Sequence, residues 1–223
     1  GQEDPSTHGL SGDELKSFLT RSVRKTGACA LCVRVRTTKE DLPRIPRSAL
    51  YDKRMFQYPP WRAESGRNVL RVLKARESMW NESLRIEHEL GMQYSLAFWT
   101  REDQVWLYKI GKLRGLLSQP HSDRSVWSRS CNAFHGINDK SVVMGRKAAQ
   151  VMFTAYSRYW QPQPSLESKN AEQFLQRVAA AGKLRAKTLS WKIIPSFDAV
   201  LVGSEVCALR LYVCTEVLSK VVK

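Results

Sequence analysis

The stretch that decides the fold is residues 65–90, which read SGRNVLRVLKARESMWNESLRIEHEL. Apolar residues recur in it at the three- and four-residue spacing of an amphipathic helix, which aligns them along one face. This stripe consists of Leu70, Leu73, Trp80 and Leu84, with Val69 and Val72 beside it. Gly91 follows at a position where glycine commonly ends a helix. The spacing therefore predicts a helix over residues 65–90.

The charges of this helix are ordered against the helix dipole. Its first half holds Arg67, Arg71, Lys74 and Arg76, and its second half holds Glu82, Glu87 and Glu89. The dipole favours acidic residues at the start of a helix and basic residues at its end. Local helix stability therefore does not explain the order. An anionic partner is the simplest explanation, and a solvated face without a partner is the alternative.

A second helix is predicted over residues 101–117, because apolar residues are frequent from Val105 onwards and Pro120 would stop the helix. Residues 94–99 form a short apolar run between the two helices and are interpreted as a strand or a turn. Two helices joined by a short connection form a helical hairpin. The sequence therefore predicts such a hairpin at the centre of the chain.

Residues 37–64 differ from the helical region, because they contain four prolines and no sustained periodicity. Basic and aromatic side chains alternate between the prolines, which predicts an extended basic arm. Such an arm would lie along a phosphate backbone while its rings stack on unpaired bases. The alternative is a wrapping loop whose aromatic side chains pack on the protein's own core.

The N-terminal part is predicted to contain one helix and one strand. Ser11 and Glu14 have the spacing of a helix capping box, and Gly27 would end the helix that follows. Residues 28–36 alternate between apolar and other side chains, which predicts a half-buried strand.

The C-terminal half is predicted to mix helices and strands. Residues 118–138 are interpreted as a polar loop, residues 140–160 as a helix capped by Asp139, and residues 165–181 as a helix ended by Gly182. Residues 188–194 and 197–202 are interpreted as strands, and from residue 204 both a helix and a strand stay open. The predicted fold class is α+β and helix-rich, with a central helical hairpin, an extended basic arm and a small C-terminal α/β part. The predicted segments are 1–36, 37–64, 65–160 and 165–223.

The charge balance favours an anionic partner. The chain of 223 residues carries 36 Lys and Arg against 21 Asp and Glu, a net charge of +15. Residues 34–76 alone hold twelve basic and four acidic residues, whereas residues 77–100 hold one Arg and four Glu. A charge concentrated in this way exceeds what solubility requires and is typical of nucleic-acid binding.

No catalytic pattern is present in the sequence. It has no nucleophile elbow, phosphate loop or dinucleotide-binding glycine motif, so we predict a protein that is not an enzyme and that needs no cofactor. Cys29, Cys32, Cys131 and His135 form a possible zinc set, but its two halves lie about a hundred residues apart. We therefore predict no metal site and interpret the thiols as core residues. The odd cysteine count and the lack of a signal peptide favour an intracellular location.

Clustered Lys and Arg bind RNA by releasing counterions from its phosphates, and exposed aromatic rings stack on unpaired bases. Two of the seven tryptophans, Trp61 and Trp127, lie in basic surroundings that are interpreted as loops. The candidate RNA contacts are Arg44, Arg47, Lys53, Arg54, Trp61, Arg62, Arg67, Arg71, Lys74, Arg124, Trp127 and Arg129.

One stretch resembles a known family. Residues 72–79, VLKARESM, are similar to the first helix of a mitochondrial large-subunit ribosomal protein that has a helical hairpin near the exit tunnel. That helix has an apolar run followed by Leu-Lys-Glu-Arg-Asn. Leu73, Lys74 and Arg76 match it, while Ala75 and Glu77 differ. The resemblance covers residues 65–118 and implies rRNA contacts from the basic side of the hairpin, in a mitochondrial ribosome.

The leading interpretation is a structural RNA-binding component of a ribonucleoprotein. Among such components, the sequence favours a mitochondrial ribosomal protein that contacts rRNA through its Lys and Arg clusters. Its expected partners are rRNA and neighbouring proteins of a large assembly, and its expected location is the mitochondrial matrix. No apolar run approaches the roughly 18–20 residues of a membrane span, so no integral membrane segment is expected. The alternatives are a viral-type nucleocapsid protein that binds RNA and a structural subunit of an organellar membrane complex that binds no RNA.

Overall fold

A computed structural model describes residues 11–25, 63–101, 104–106, 113–129, 133–189, 193–194, 196–198, 200–202 and 205–207. Helices occur together with a small mixed sheet, so the fold class is α+β, as predicted. The chain divides into two compact units, Gly1–Pro43 and Arg44–Lys223. Among the helices described, none combines the length and the apolar character that crossing a bilayer requires.

The first unit contains helix α1 (Gly12–Lys25). The Ser11 hydroxyl oxygen accepts the Glu14 N–H at 3.3 Å, and the Glu14 carboxylate accepts the Ser11 N–H at 2.7 Å. The predicted capping box is therefore confirmed. Accepting the Ser11 N–H also holds the pKa of the Glu14 carboxyl below its ordinary value.

Helix α2 (Ala63–Leu90) confirms the helix predicted over residues 65–90. Leu70, Leu73 and Trp80 are buried, whereas Leu84 is exposed, so the predicted stripe is right for three of its four main residues. Gly91 adopts a left-handed φ of 60° just after the helix, and the N–H of Met92 then donates to the Glu87 carbonyl at 3.1 Å. The helix thus ends where the glycine was predicted to end it.

The prediction of a second helix over residues 101–117, and with it of a helical hairpin, is wrong. Strand β1 (Leu96–Thr100) is followed by strand β2 (Gln104–Trp106), and the residues described after them begin at Leu113 with the single helical turn α3 (Arg114–Leu117). The apolar residues around Val105 follow one another too closely to define one helical face. A strand can use them because its backbone hydrogen bonds are completed by another strand.

Two further predictions are corrected downstream. Residues 118–138 contain strand β3 (Ser125–Arg129) instead of forming only a loop. Residues 140–160 begin with strand β4 (Ser141–Gly145), and only then follow helices α4 (Arg146–Met152) and α5 (Ala155–Tyr159). Every residue of β3 and β4 is buried, and a strand buried on both faces has no alternating pattern that would identify it.

The main sheet has four strands in the order β1-β4-β3-β5, where β5 is Arg185–Leu189. Strand β4 pairs antiparallel with β1, with Phe98 opposite Val143, and antiparallel with β3, with Trp127 opposite Val143. Strand β5 pairs parallel with β3, with Trp127 opposite Lys187. Strand β4 returns the chain to the end of the sheet at which β3 begins, and residues 146–184 then connect β4 to β5.

One face of this sheet packs against α2 through aromatic rings. The Trp80 ring stacks on Phe153 with 5.3 Å between centroids, and Phe153 meets the edge of Trp99 at 5.4 Å. Offset and edge-to-face pairs of this kind add to the stabilisation from buried area. The long helix is therefore fixed to β1 and to the end of α4.

The other face of the sheet is covered by a second apolar cluster. Trp127 and Val143 pack there with Leu189 of β5, and Leu116 and Ile194 cover them. Trp127 is only 1% exposed. Both faces of the sheet are thus buried, which explains the uniformly buried strands at its centre.

Helix α6 (Ala171–Ala181) begins at Asn170, whose side-chain oxygen accepts the Gln173 N–H at 2.8 Å. The helix predicted over residues 165–181 is shorter in the structure, which has a 3-10 turn at Pro164–Leu166 and begins the helix at Ala171, whereas its predicted end at Gly182 is confirmed. The residue in the left-handed conformation is nevertheless Lys183, with φ 53°. Gly182 is needed for a different reason, because a Cβ there would come within 2.5 Å of the Val151 side chain.

The C-terminal strands are short. Strand β6 (Ser196–Asp198) pairs antiparallel with β2, and β7 (Val200–Val202) pairs antiparallel with β8 (Glu205–Cys207). The prediction of strands in this region is confirmed, although β5 begins at Arg185, before the predicted range. The strand predicted over residues 28–36, the arm up to residue 62 and the end of the chain from residue 208 lie outside the described residues.

Candidate nucleic-acid interface

The first half of α2 presents a basic stripe. Arg67, Arg71 and Lys74 are spaced by four and three residues, so they lie on one side of the helix. Arg67 is exposed, and Arg71 and Lys74 are partly exposed. The Arg71 guanidinium donates to the Asn68 side-chain oxygen at 2.6 Å, which holds it along the helix surface. These three residues, which we call the α2 stripe, were all candidate contacts.

The fourth basic residue of this half, Arg76, has a different role. It is buried, its guanidinium lies 4.1 Å from the centroid of the Trp99 ring, and it donates to the Asp139 carbonyl at 2.5 Å. It therefore links α2 to β1 and to the segment before β4. One reason for the unusual charge order of the helix is thus internal to the fold.

The acidic half of α2 is occupied by ion pairs. The Arg85 guanidinium donates to Glu82 at 2.6 Å and also to Glu89. Glu87 is 6% exposed and accepts both terminal nitrogens of Arg146 at 2.6 Å, together with the Tyr94 N–H at 2.8 Å. The positive part of the α2 surface is therefore confined to its first three turns.

A second basic surface lies along β5, at the edge of the main sheet. Residues 173–197 contain five Lys and Arg and no Asp or Glu. Lys183 and Arg185 are exposed, and Lys187 donates to the Gln119 side-chain oxygen at 3.2 Å while lying 5.9 Å from the Trp127 ring centroid. Sequence reasoning did not include these residues. The absence of acidic residues over this stretch is the signal that would have found them.

Two candidate contacts from the sequence are corrected. Trp127 lies in the core between the sheet and its cover, so its ring is not available to a base. Arg129 is also buried, and its guanidinium donates to the Ser196 carbonyl. The sequence predicts a loop at both positions, and their burial follows from their place in strand β3, which has a strand on either side. Arg124 is exposed at the end of a 3-10 turn (Ser122–Arg124) and stays a candidate.

The candidates of the arm lie outside the described residues; these are Arg44, Arg47, Lys53, Arg54, Trp61 and Arg62. Of the possible zinc set, Cys29, Cys32 and Cys131 also lie outside them, and His135 is an exposed turn residue. Within the described part of the chain, no group of three or more His, Cys, Asp or Glu side chains has the arrangement of a metal site.

A polar cluster surrounds the start of β4. The Arg101 guanidinium lies 3.4 Å from the Asp139 carboxylate, and the Asn138 side-chain oxygen accepts the N–H groups of Lys140 and Ser141 at 2.9 and 3.3 Å. Burial, and next the nearby Asp139 charge, raise the pKa of the Glu172 carboxyl to about 8. Glu172 therefore holds a proton at neutral pH, which removes a negative charge from this part of the molecule.

The described residues provide two basic surfaces, the α2 stripe and the edge strand β5, and a carboxyl group, Glu172, whose pKa is raised to about 8. Such a combination suits binding of an anion. Comparison with known proteins found that no family model, no curated protein sequence and no solved structure matches this chain.

Proposed function

We propose that this protein is a structural RNA-binding component of a ribonucleoprotein, and that the α2 stripe contacts RNA phosphates. The observation that carries the proposal is the position of Arg67, Arg71 and Lys74 together on one side of a long helix. These three residues lie within residues 34–76, a segment that holds twelve basic and four acidic residues. A rigid helix holds such cations at fixed spacing, which suits the regular spacing of phosphates along a strand.

The finer proposal is that the assembly is a mitochondrial ribosome and that the RNA is rRNA. Its support is the resemblance of residues 72–79 to the first hairpin helix of a mitochondrial ribosomal protein. Because residues 104–106 form a strand, that support is limited to α2 itself. Mitochondrial location and neighbouring ribosomal proteins as partners belong to the same proposal.

The direct test measures RNA affinity as a function of salt concentration. Replacing Arg67, Arg71 and Lys74 by Gln removes three positive charges but keeps polar side chains. We expect weaker binding, and a slope of log K against log salt that is smaller by about 2–3 for these three phosphate contacts. Thermal unfolding of the variant would check that the fold is unchanged.

A matched control removes the same charge elsewhere. Lys16, Arg21 and Arg24 are exposed residues of α1, and their replacement by Gln also lowers the net charge by three. We expect this variant to retain most of the affinity and slope. Equal losses in both variants would mean that only net charge matters, and unchanged binding in the α2 variant would refute the assignment.

The assembly itself is tested by separating native cell extract by size with and without RNase. Migration with a very large particle that RNase dissolves would support a ribonucleoprotein, and the RNA in it would identify the particle. Ordered polymerisation of the pure protein on RNA would favour the nucleocapsid alternative. A large complex that RNase leaves intact would favour the membrane-complex alternative.

A further inference from the structure

The turn at residues 133–136 has an unusual backbone. The Gly136 N–H donates to the Ala133 carbonyl at 2.6 Å, and the two residues between them, Phe134 and His135, have φ values of 42° and 66°. Two successive left-handed residues closed by such a bond form a type I′ turn, which Asn and Gly normally occupy. A bulky aromatic residue with positive φ is a strained conformation.

The strained turn is held firmly by its surroundings. The Ile137 N–H donates to the Glu172 carbonyl at 3.0 Å, and the Asn170 side-chain amide donates to the Phe134 carbonyl at 3.4 Å. Gly136 lies so close to the backbone of Glu172 and Gln173 that an added Cβ would overlap it. The turn is therefore fixed against the first residues of α6 on both sides of its tip.

The tip of the turn presents two flat rings to solvent. Phe134 is 48% exposed, and His135 is also exposed. An exposed Phe in a strained and rigidly held turn contributes little to the core, so packing alone does not explain its presence. Backbone strain maintained by tertiary contacts is more common at binding sites than elsewhere.

The charges around the turn favour an anionic ligand. Lys169 is exposed and directly precedes Asn170, which contacts the turn. The two carboxyl groups near the turn, those of Asp139 and Glu172, add little negative charge to the surface. Asp139 is buried and lies beside Arg101, and burial raises the pKa of Glu172 to about 8.

We propose that the turn at residues 133–136 is a stacking platform, on which Phe134 and His135 bind an unpaired nucleobase of RNA. This inference rests on the proposed RNA-binding function and names a contact that reads single-stranded RNA. The α2 stripe attracts phosphates, whereas the turn selects unpaired bases, since a base within a duplex has no free face for stacking.

The test compares an unstructured oligouridylate with an RNA duplex of the same length. The variant Phe134→Asn with His135→Gly removes both rings and gives the turn its preferred residues. We expect its affinity for the oligouridylate to fall about 5-fold or more, the loss of one weak stacking contact. Its salt slope and its affinity for the duplex should equal those of the wild type. Its melting temperature should be unchanged or higher.

Phe134→Tyr keeps an aromatic ring in the same backbone and serves as the matched control, with affinity expected to equal that of the wild type. Wild-type affinity of the Asn-Gly variant for oligouridylate would overturn the stacking proposal while leaving the α2 stripe intact. Loss of a co-purifying protein, without loss of RNA affinity, would also overturn it in favour of protein docking. If the wild type binds neither RNA, the proposed function itself fails.

Discussion

The buried ion pair between Glu87 and Arg146 provides a quantitative test of how α2 is attached to the rest of its unit. Replacing Glu87 by Gln keeps the size of the side chain and one acceptor oxygen, but removes the negative charge of the carboxylate to which two Arg146 nitrogens donate at 2.6 Å. The Arg146 guanidinium, which also lies 4.7 Å from the Trp80 ring centroid, then loses its counter-charge at a site with little water. An amide oxygen in the place of Oε1 can still accept one Arg146 nitrogen and the Tyr94 N–H, but the second Arg146 nitrogen loses its acceptor, Oε2.

The expected loss of unfolding free energy follows from the burial of the Glu87–Arg146 pair. Removing one partner of a fully buried pair costs about 3–5 kcal/mol. The Arg146 side chain is 20% exposed and Glu87 6% exposed, so water solvates part of the abandoned charge. We therefore expect Glu87→Gln to lower the free energy of unfolding by about 2–3 kcal/mol, which shifts a urea midpoint by about 1 M or more.

The assay is equilibrium unfolding in urea, followed by circular dichroism and by tryptophan fluorescence, because Trp80 lies beneath the pair. Glu89→Gln is the matched control, since Glu89 lies on the same helix and its side chain is 52% exposed in its pair with Arg85. We expect that change to cost at most about 0.5 kcal/mol. Equal effects of the two substitutions would refute the reasoning, because the Glu87 pair would then be solvated like a surface pair.

Two further predictions concern single side chains. The pKa of Glu172 in the folded state, about 8, exceeds its ordinary value of 4.5. Between these two pH values the folded state keeps a proton that the unfolded state has lost. The free energy of unfolding should therefore fall as pH rises, by at most about 1.4 kcal/mol per pH unit. Glu172→Gln should flatten this dependence in urea unfolding at pH 5, 7 and 9, and an unaltered slope would contradict the assignment. Gly145→Ala should lower stability by about 1–3 kcal/mol in the same assay, because its Cβ would overlap the Ser122 carbonyl oxygen; Gly115→Ala, which meets nothing within 4 Å, should cost nothing.

The parts of the fold that depend on local signals were predictable from the sequence. The spacing of Ser11 and Glu14 identified a capping box, and the long apolar period of residues 65–90 identified α2. The end of α2 followed from Gly91, because only a left-handed residue lets the chain turn away there. In each case the residues that determine the structure lie within a few positions of one another.

The errors occurred where structure depends on distant residues. Ser125, Ser128 and Arg129 suggest a polar loop, but they are buried because β3 has strands on both sides. Arg129 donates to the carbonyl of Ser196, 67 residues away. Such pairing leaves no signal in the local composition. Because this pairing is not visible in the local sequence, the sequence also predicts Trp127 as an exposed RNA contact, although its ring is buried.

The candidate site was predictable in part. The basic first half of α2 was evident from charge order, and Arg67, Arg71 and Lys74 do share one side of the helix. Arg76 is not among the candidate contacts, but its burial is not predicted by the sequence either, since it depends on the Trp99 ring in strand β1. The β5 surface is not evident from the density of Lys and Arg, because residues 173–197 are distinguished by the lack of Asp and Glu rather than by a cluster of basic residues.

The order of the strands has a consequence for how the sheet forms as the chain is made. Paired residues of β3 and β4 are 14 to 18 positions apart in the chain, those of β1 and β4 are 41 to 49 apart, and those of β3 and β5 are 60 apart, so the loop that each pairing closes grows in that order. The short-range hairpin should therefore form first, and β5 should add last. Until residue 189 has left the ribosome, β3 has an open edge, and Trp127 lacks the cover of Leu189 and Ile194, so the edge is exposed to pairing with other chains in that interval.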